Sequence, residues 1–146
     1  MIDLDSVDRI YHGLLKMHDV LVIEGAGGVM VPIKRNFFYV DLIRQWNVPA
    51  VIVSKLGLGT INHTLLTSHY LESQGISIVR VLLNDASNET DIASQTNPGL
   101  LKQYLRAPFL GVFPHVAGVT EKGVNRELLA ETFVKNIDTA AILRFL

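Results

Sequence analysis

Short apolar runs alternate with segments of helical periodicity along this chain, and the alternation limits the folds open to it. The strands predicted from these runs cover residues 19–24, 50–54, 77–83 and 109–113. Run 50–54 is apolar from Ala50 to Val53, which is typical of a strand buried on both faces. Apolar residues recur at helical spacing over 5–17, 37–46, 60–73, 98–106, 123–134 and 136–145. Strands separated by helices predict a doubly wound parallel sheet, here as one α/β domain over residues 1–146.

Local signals set the expected ends of several helices. Asp3 or Asp5 is the candidate N-cap of the first helix, and Thr60 or Asn62 is that of the helix before Gly75. Residues 86–97 are polar and are expected to form a loop. This loop is expected to lead through Pro98 into the next helix, which ends near Arg106.

A single acid and a glycine-rich turn follow the first apolar run. Residues 24–28 read Glu-Gly-Ala-Gly-Gly. Ligands of open α/β sheets bind at the carboxyl ends of the strands, and glycine backbone can approach a phosphate closely. Glu24 in this place predicts a ligand for Mg²⁺ that carries nucleotide phosphates. A strand and a plain turn, with Glu24 in solvent, explain the same residues equally well.

The chain has no phosphate-binding loop of its own. The run Gly-x-x-x-x-Gly-Lys followed by Ser or Thr is absent, and the glycines at 57 and 59 follow Lys55 instead of preceding a lysine. A metal-binding acid without a phosphate cradle indicates part of a site, not a whole one.

Composition excludes several function classes. The 146 residues, 49% of them hydrophobic, suffice for one domain with a core. A net charge of −1 offers no electrostatic case for binding nucleic acid or a membrane surface. The absence of cysteine excludes disulfides, zinc–thiolate sites and thiol nucleophiles. The acidic start is unlike a signal peptide and no apolar run is long enough to span a membrane, so a cytoplasmic location is expected.

Polar groups follow every predicted strand. Glu24, Asn84-Asp85 and Pro114-His115 each stand at a strand end, and the turn from Ser54 to Asn62 follows the remaining strand. A parallel sheet brings these strand ends to one edge, which is how such folds build a nucleotide crevice.

Several of these motifs together resemble the dethiobiotin synthetase family. They are Glu24 to Gly28, Pro32, the Gly-Thr-Ile-Asn-His-Thr-Leu-Leu-Thr run at 59–67, Leu83-Asn84-Asp85, and Leu110-Gly111 with Pro114. The run that begins at Gly59 is the most specific, whereas Glu-Gly-Ala-Gly-Gly also occurs in relatives within the nucleotide-binding superfamily. Order and spacing are similar to the family's C-terminal portion. The resemblance therefore implies a P-loop NTPase fold that lacks its P-loop strand.

The resemblance also implies a reaction. The family joins CO₂ to 7,8-diaminopelargonate with ATP and Mg²⁺ and forms dethiobiotin, a step of biotin synthesis. A carbamate forms on one amine, its oxygen attacks the γ-phosphate, and the second amine closes the ring and expels phosphate. Phosphoryl transfer of this kind depends on positioning and charge neutralisation.

Residue roles follow from the resemblance alone. Glu24 would be the Mg²⁺ ligand and catalytic residue, and the amides of Gly25, Ala26, Gly27 and Gly28 would line the reacting groups. The remaining nucleotide contacts would come from Asn84, Asp85, Pro114, His115, Val116 and Glu121. The turn of Gly59, Thr60, Ile61 and Asn62 would hold the substrate's tail across a homodimer interface, since free helix N–H groups suit a carboxylate.

Plainer interpretations exist for several of these residues. Asn84-Asp85 is also a common turn pair after a strand. His63 and His69 are six residues apart, which does not match the four-residue spacing of a helical metal pair. His115 is expected to be only a packing or stacking residue, and Trp46 is expected in the core. Lys34 and Arg35 receive no role.

The missing portion of the family would include the strand between 19–24 and 50–54. Its absence would leave unpaired backbone groups in the middle of the sheet, at a cost of several kcal/mol in a fold stable by about 5–15 kcal/mol. The two flanking strands could pair directly, a separate N-terminal polypeptide that carries the P-loop could associate, or the chain is part of a longer one. Function stays open between the synthetase and an inactive remnant that dimerises or binds small carboxylates. A piece of a cobyrinate amide synthetase is a weaker third reading.

Overall fold

The computed structural model describes residues 2–88, 90–119 and 125–144, which form two compact units. The first unit reaches Asn47 and the second begins at Val48. Each unit has its own helices and its own sheet. No helix among the described residues is long and apolar enough to cross a membrane.

The first unit is built on two helices and a short hairpin. Helix α1 (Leu4–Leu15) begins after Asp3, whose carboxylate accepts a hydrogen bond from the Asp5 N–H at 3.1 Å, so Asp3 is the predicted cap. Strands β1 (Pro32–Lys34) and β2 (Phe37–Phe38) pair antiparallel, and helix α2 (Tyr39–Trp46) follows.

Stacked aromatic rings join the two helices of this unit. The rings of Tyr11 and Trp46 stack with centroids 4.1 Å apart, and the Trp46 indole donates to Asp8 at 2.8 Å. Trp46 is half-buried and packs on the buried Tyr11, so it lies at the margin of this unit's core and not fully inside it as predicted.

The strand predicted at 19–24 is wrong. Residues 20–25 lie outside any helix or strand, and Val22 is 90% exposed. A strand is stable only where a neighbour satisfies its N–H and C=O groups. No strand among the described residues pairs with this run, and direct pairing with the second apolar run does not occur.

The second unit alternates strands and helices as predicted. Its parallel strands are β3 (Ala50–Lys55), β4 (Ile78–Asn84) and β5 (Phe109–Phe113), in the order β3-β4-β5. The helices are α3 (Thr60–Ser73), α4 (Ile92–Tyr104), α5 (Arg126–Asn136) and α6 (Thr139–Leu143). The described residues thus form an α/β fold with a three-stranded parallel sheet, and the fuller doubly wound sheet stays a prediction.

Helices cover both faces of this sheet. Ser54 and Ile52 point to one face, where the Thr64 hydroxyl of α3 donates to Ser54 Oγ at 2.8 Å. Leu82 points to the opposite face and packs with Leu110, Ile137 and Ala141. The β3 end of that second face is open, since Val51 and Val53 are 48% and 62% exposed.

One predicted helix start and one predicted helix cap are also wrong. Helix α4 begins at Ile92, because the Asp91 carboxylate caps it by accepting from the Ser94 N–H at 2.6 Å, and Pro98 lies inside the helix. A proline inside a helix destabilises it by about 3 kcal/mol. Here the helix continues past Pro98 because Asn97 and Leu101, on either side of the proline, are buried against the rest of the unit. Helix α3 is capped by Gly59, not by Thr60 or Asn62.

Candidate functional site

The glycine-rich loop after residue 23 is an exposed turn in the first unit. Glu24, Gly25, Ala26 and Gly27 are all exposed. Backbone hydrogen bonds fix the end of the loop, from Val31 N to Gly28 O at 3.1 Å and from Val40 N to Val29 O at 3.0 Å. The loop therefore ends against the start of α2 and leaves the Glu24 carboxylate open to solvent.

The turn between β3 and α3 stands at the carboxyl edge of the parallel sheet. Its glycines have left-handed backbone, with φ of 121° at Gly57 and 88° at Gly59, which other residues adopt only under strain. The Leu56 N–H donates to the Asn84 carbonyl at 2.8 Å, so the turn lies directly beside the end of β4. The first turn of α3 lies at this edge, where the Thr60 N–H donates to the Gly57 carbonyl at 3.3 Å, and the N–H groups of Ile61 and Asn62 have no carbonyl four residues earlier within the helix to bond.

Buried hydroxyls hold α3 against β3. Thr60 and Thr64 are fully buried, their hydroxyl oxygens are 3.4 Å apart, and Thr64 also bonds Ser54. The side-chain amide of Asn97, in α4, donates a hydrogen bond to the Gly57 carbonyl of the turn at 2.7 Å.

The ends of β4 and β5 meet at the same edge. Asn84 is the register partner of both Lys55 and Phe113, and the Asp85 N–H donates to the Phe113 carbonyl at 2.8 Å. The Asp85 carboxylate accepts from the Asn88 N–H at 2.9 Å and so forms a turn of the Asp/Asn type. Asp85 is thus engaged in its own loop, whereas Asn84 ends the strand.

His115 lies across two of these loops. Its Nδ1 is 3.3 Å from the Ala86 carbonyl oxygen, a contact in which the neutral ring donates when Nδ1 carries the proton. The loop after β5, with Pro114 and Val116, therefore lies beside the loop after β4.

The structure brings together part of the predicted site. Asn84, Asp85, Pro114, His115 and the turn of Gly59 to Asn62 share one edge of the second unit's sheet. Residues 24–28 belong to the first unit, and Glu121 lies outside the described residues. No group of three or more His, Asp or Glu side chains able to hold a metal occurs among the residues that the structure describes.

Among the described residues, one carboxyl has a clearly shifted pKa, that of Asp3 in the first unit. The Ser6 hydroxyl, which donates to the Asp3 carboxylate, holds the pKa of Asp3 below its ordinary value of 3.8. This shift belongs to the cap of α1 and carries no catalytic meaning.

Sequence reasoning missed the residues that support the turn. Asn97 stood in a stretch predicted as loop, and its partner Gly57 is 40 residues away in sequence. Thr60, Thr64 and Ser68 recur at four-residue spacing and are all buried. This polar stripe along one helix face was the available signal for close packing of α3 on the sheet.

Comparison with known proteins gives the family. A family model described as "AAA domain" (AAA_26) matches residues 1–123. The chain is 37% identical over 150 residues to the ATP-dependent dethiobiotin synthetase BioD of Thermodesulfovibrio yellowstonii, covering 97% of this chain and 60% of that relative. It is 38% identical over 123 residues to the protein of that name from Bacillus subtilis, covering 84% and 53%.

A third relative has the same name, and its match to this chain is shorter. The ATP-dependent dethiobiotin synthetase BioD of Bacillus licheniformis is 41% identical over 97 residues, which cover 66% of this chain and 41% of the relative. The chain thus spans 41% to 60% of the length of these relatives. It belongs to the AAA domain family AAA_26 and is a homologue of the ATP-dependent dethiobiotin synthetases.

Proposed function

We propose that this chain supplies the C-terminal portion of an enzyme that forms dethiobiotin from 7,8-diaminopelargonate, CO₂ and ATP. The observation that carries the proposal is the similarity to dethiobiotin synthetases over 97% of the chain. The shared edge of Asn84, Pro114 and the turn at Gly59 supports it, because ligands of open α/β sheets bind at that edge.

The nucleotide base is the proposed ligand of the β4 and β5 ends. Asn84 offers a side-chain amide that both donates and accepts, as the edge of a purine requires. The base packs against the loop after β5, which contains Pro114, His115 and Val116. Glu121 and the backbone near Asp85 make further contacts with the base. The Asp85 carboxylate contributes by shaping the loop, since it already accepts from Asn88.

Glu24 is the proposed Mg²⁺ ligand. Mg²⁺ is usually held by one or two carboxylates together with substrate phosphates and water, so a single exposed carboxylate beside a glycine loop fits a shared site of this kind. The ion would neutralise charge on the transferring phosphoryl group. The amides of Gly25 to Gly28 would orient the reacting groups without charge of their own.

The turn at Gly59 to Asn62 is the proposed site for the substrate's carboxylate tail. The N–H groups of Ile61 and Asn62, which have no intrahelical partner in the first turn of α3, favour an anion. We further propose a two-fold homodimer that shares this site, supported by Leu66 and Leu58, whose side chains are 62% and 83% exposed on and before α3.

A strand supplied by the remaining part of the enzyme is the proposed neighbour of β3. The free edge of β3 has no strand partner among the described residues, and exposed Val51 and Val53 extend the sheet's apolar face toward that edge. Edges of this kind are ordinarily paired or covered. The missing P-loop half, in the same chain or as a separate polypeptide, would provide both the strand and the phosphate cradle.

The test joins the N-terminal portion of the Thermodesulfovibrio yellowstonii relative to this chain and measures dethiobiotin formed from diaminopelargonate, bicarbonate and ATP. We expect turnover by the chimera and none by the chain alone, which should also bind ATP·Mg²⁺ weakly. Dethiobiotin formation by the chain alone would overturn the need for a second portion, and an inactive but folded chimera would favour the inactive remnant.

Glu24→Gln in the chimera should lower kcat by about a hundredfold or more, because loss of an anionic metal ligand removes several kcal/mol of charge stabilisation. Asp19→Asn is the matched control, an exposed acid five positions earlier in the same irregular segment, and should change kcat less than about twofold. Near-normal turnover by Glu24→Gln, at any Mg²⁺ concentration, would show that Glu24 is not on the metal.

A further inference from the structure

Asn97 is a buried polar side chain that no part of the reaction described above uses. It lies inside α4, is 5% exposed, and its side-chain amide donates to the Gly57 carbonyl at 2.7 Å. A buried bond between α4 and a turn 40 residues earlier makes two crossover segments of the fold interdependent.

The Gly57 carbonyl accepts hydrogen bonds from two helices, α4 and α3. It accepts a second hydrogen bond, from the Thr60 N–H at 3.3 Å, in the first turn of α3. Gly57 and Gly59 both have positive φ and carry no side chain to restrain them, so the turn has high intrinsic freedom. Bonds from outside the turn therefore decide where its amides point.

We propose that Asn97 is a positioning residue that sets the orientation of the amides from Gly59 to Asn62 and thereby the affinity for the substrate's carboxylate. The inference rests on the proposed function of that turn. Asn97 acts through the Gly57 carbonyl and touches no substrate. Asn84 is the last residue of β4 and Pro114 follows β5, so neither belongs to the turn, and a displaced turn should affect the diamino acid more than ATP.

Asn97→Asp tests this with little change of shape. The carboxylate oxygen that replaces the amide nitrogen has no proton to donate and faces the lone pairs of the Gly57 carbonyl. Asn136→Asp is the matched control, because Asn136 makes the same type of bond, to the Thr132 carbonyl at 2.8 Å, on the exposed surface of α5.

The assay measures kcat and both KM values in the chimera. Asn97→Asp should raise the KM for diaminopelargonate about tenfold or more, the scale of a small misplacement of a bound group, with the KM for ATP changed less than twofold. Asn136→Asp should leave both KM values within twofold of the parent. If the Asn97→Asp variant is folded and its KM values for diaminopelargonate and ATP rise equally, or neither rises, the inference is overturned.

A second measurement does not depend on activity. Amide hydrogen exchange and NMR shifts of Gly59 and Thr60 are compared in the chain, in Asn97→Ala and in Asn136→Asp. Faster exchange and shifted resonances at this turn only in Asn97→Ala are expected, and unchanged resonances would overturn the inference. If the parent chimera forms no dethiobiotin, the proposed function fails, while this readout still decides whether Asn97 sets the turn.

Discussion

Three glycine-to-alanine substitutions should change stability in opposite directions and by amounts that the backbone sets. Gly99 lies within α4 with nothing near the position of a Cβ. Gly75, after α3, has φ of 74° with open space around it. Gly111, in β5, has φ of 130°, and an added Cβ would stand 2.9 Å from the Asn136 carbonyl oxygen at the end of α5.

The magnitudes follow from these environments. Gly99→Ala should stabilise the chain by about 0.5–1 kcal/mol, because alanine loses less backbone freedom in a helix. Gly75→Ala should destabilise it by about 1–2 kcal/mol, the cost of left-handed backbone alone. Gly111→Ala adds a clash with rigid backbone, typically about 1–3 kcal/mol, to strain of similar size, for a total of about 2–6 kcal/mol.

Urea unfolding of the three variants, followed by circular dichroism at 222 nm, tests the order Gly99→Ala, parent, Gly75→Ala, Gly111→Ala. The Gly75 variant is the control that separates backbone strain from collision. A Gly111→Ala chain no less stable than Gly75→Ala would refute the close approach of α5 to β5, and with it the placement of the loop at Pro114.

Two further predictions concern the cap of α1 and self-association. Hydrogen bonding from Ser6 lowers the pKa of the Asp3 carboxyl in the folded chain. The ionised Asp3 carboxylate therefore stabilises the fold above pH 3.8, and this stabilisation is lost as the pH falls through the lowered pKa. The stability difference between the parent and Asp3→Asn, measured by urea unfolding from pH 2 to 6, should therefore shrink below pH 3.8, and a constant difference would contradict the Ser6 bond. In sedimentation at micromolar concentration the chimera should be a dimer and Leu66→Lys should shift it toward monomer, because a charge replaces an apolar side chain that is 62% exposed on α3. A monomeric parent would contradict the shared site.

The sequence alone determined the three parallel strands of the second unit and the residues that follow each strand. Runs 50–54, 77–83 and 109–113 match β3, β4 and β5 to within one residue at each end, because short, mainly apolar runs bounded by turn residues are typical of strands. Burial of β3 on both faces was predicted wrongly, since Val51 and Val53 are 48% and 62% exposed. The positions of Asn84 and the Gly59 turn at strand ends follow from the same pattern, although their ligands stay predictions.

Only the tertiary structure decided which apolar run becomes a strand and which side chain holds the turn. Run 19–24 has the composition of a strand, yet it has no partner within the described residues and remains irregular. Strand formation depends on a neighbour's hydrogen bonds, which a local pattern cannot supply. Asn97 reads as a loop residue in sequence, and only the packing of α4 brings its amide to within 2.7 Å of the Gly57 carbonyl.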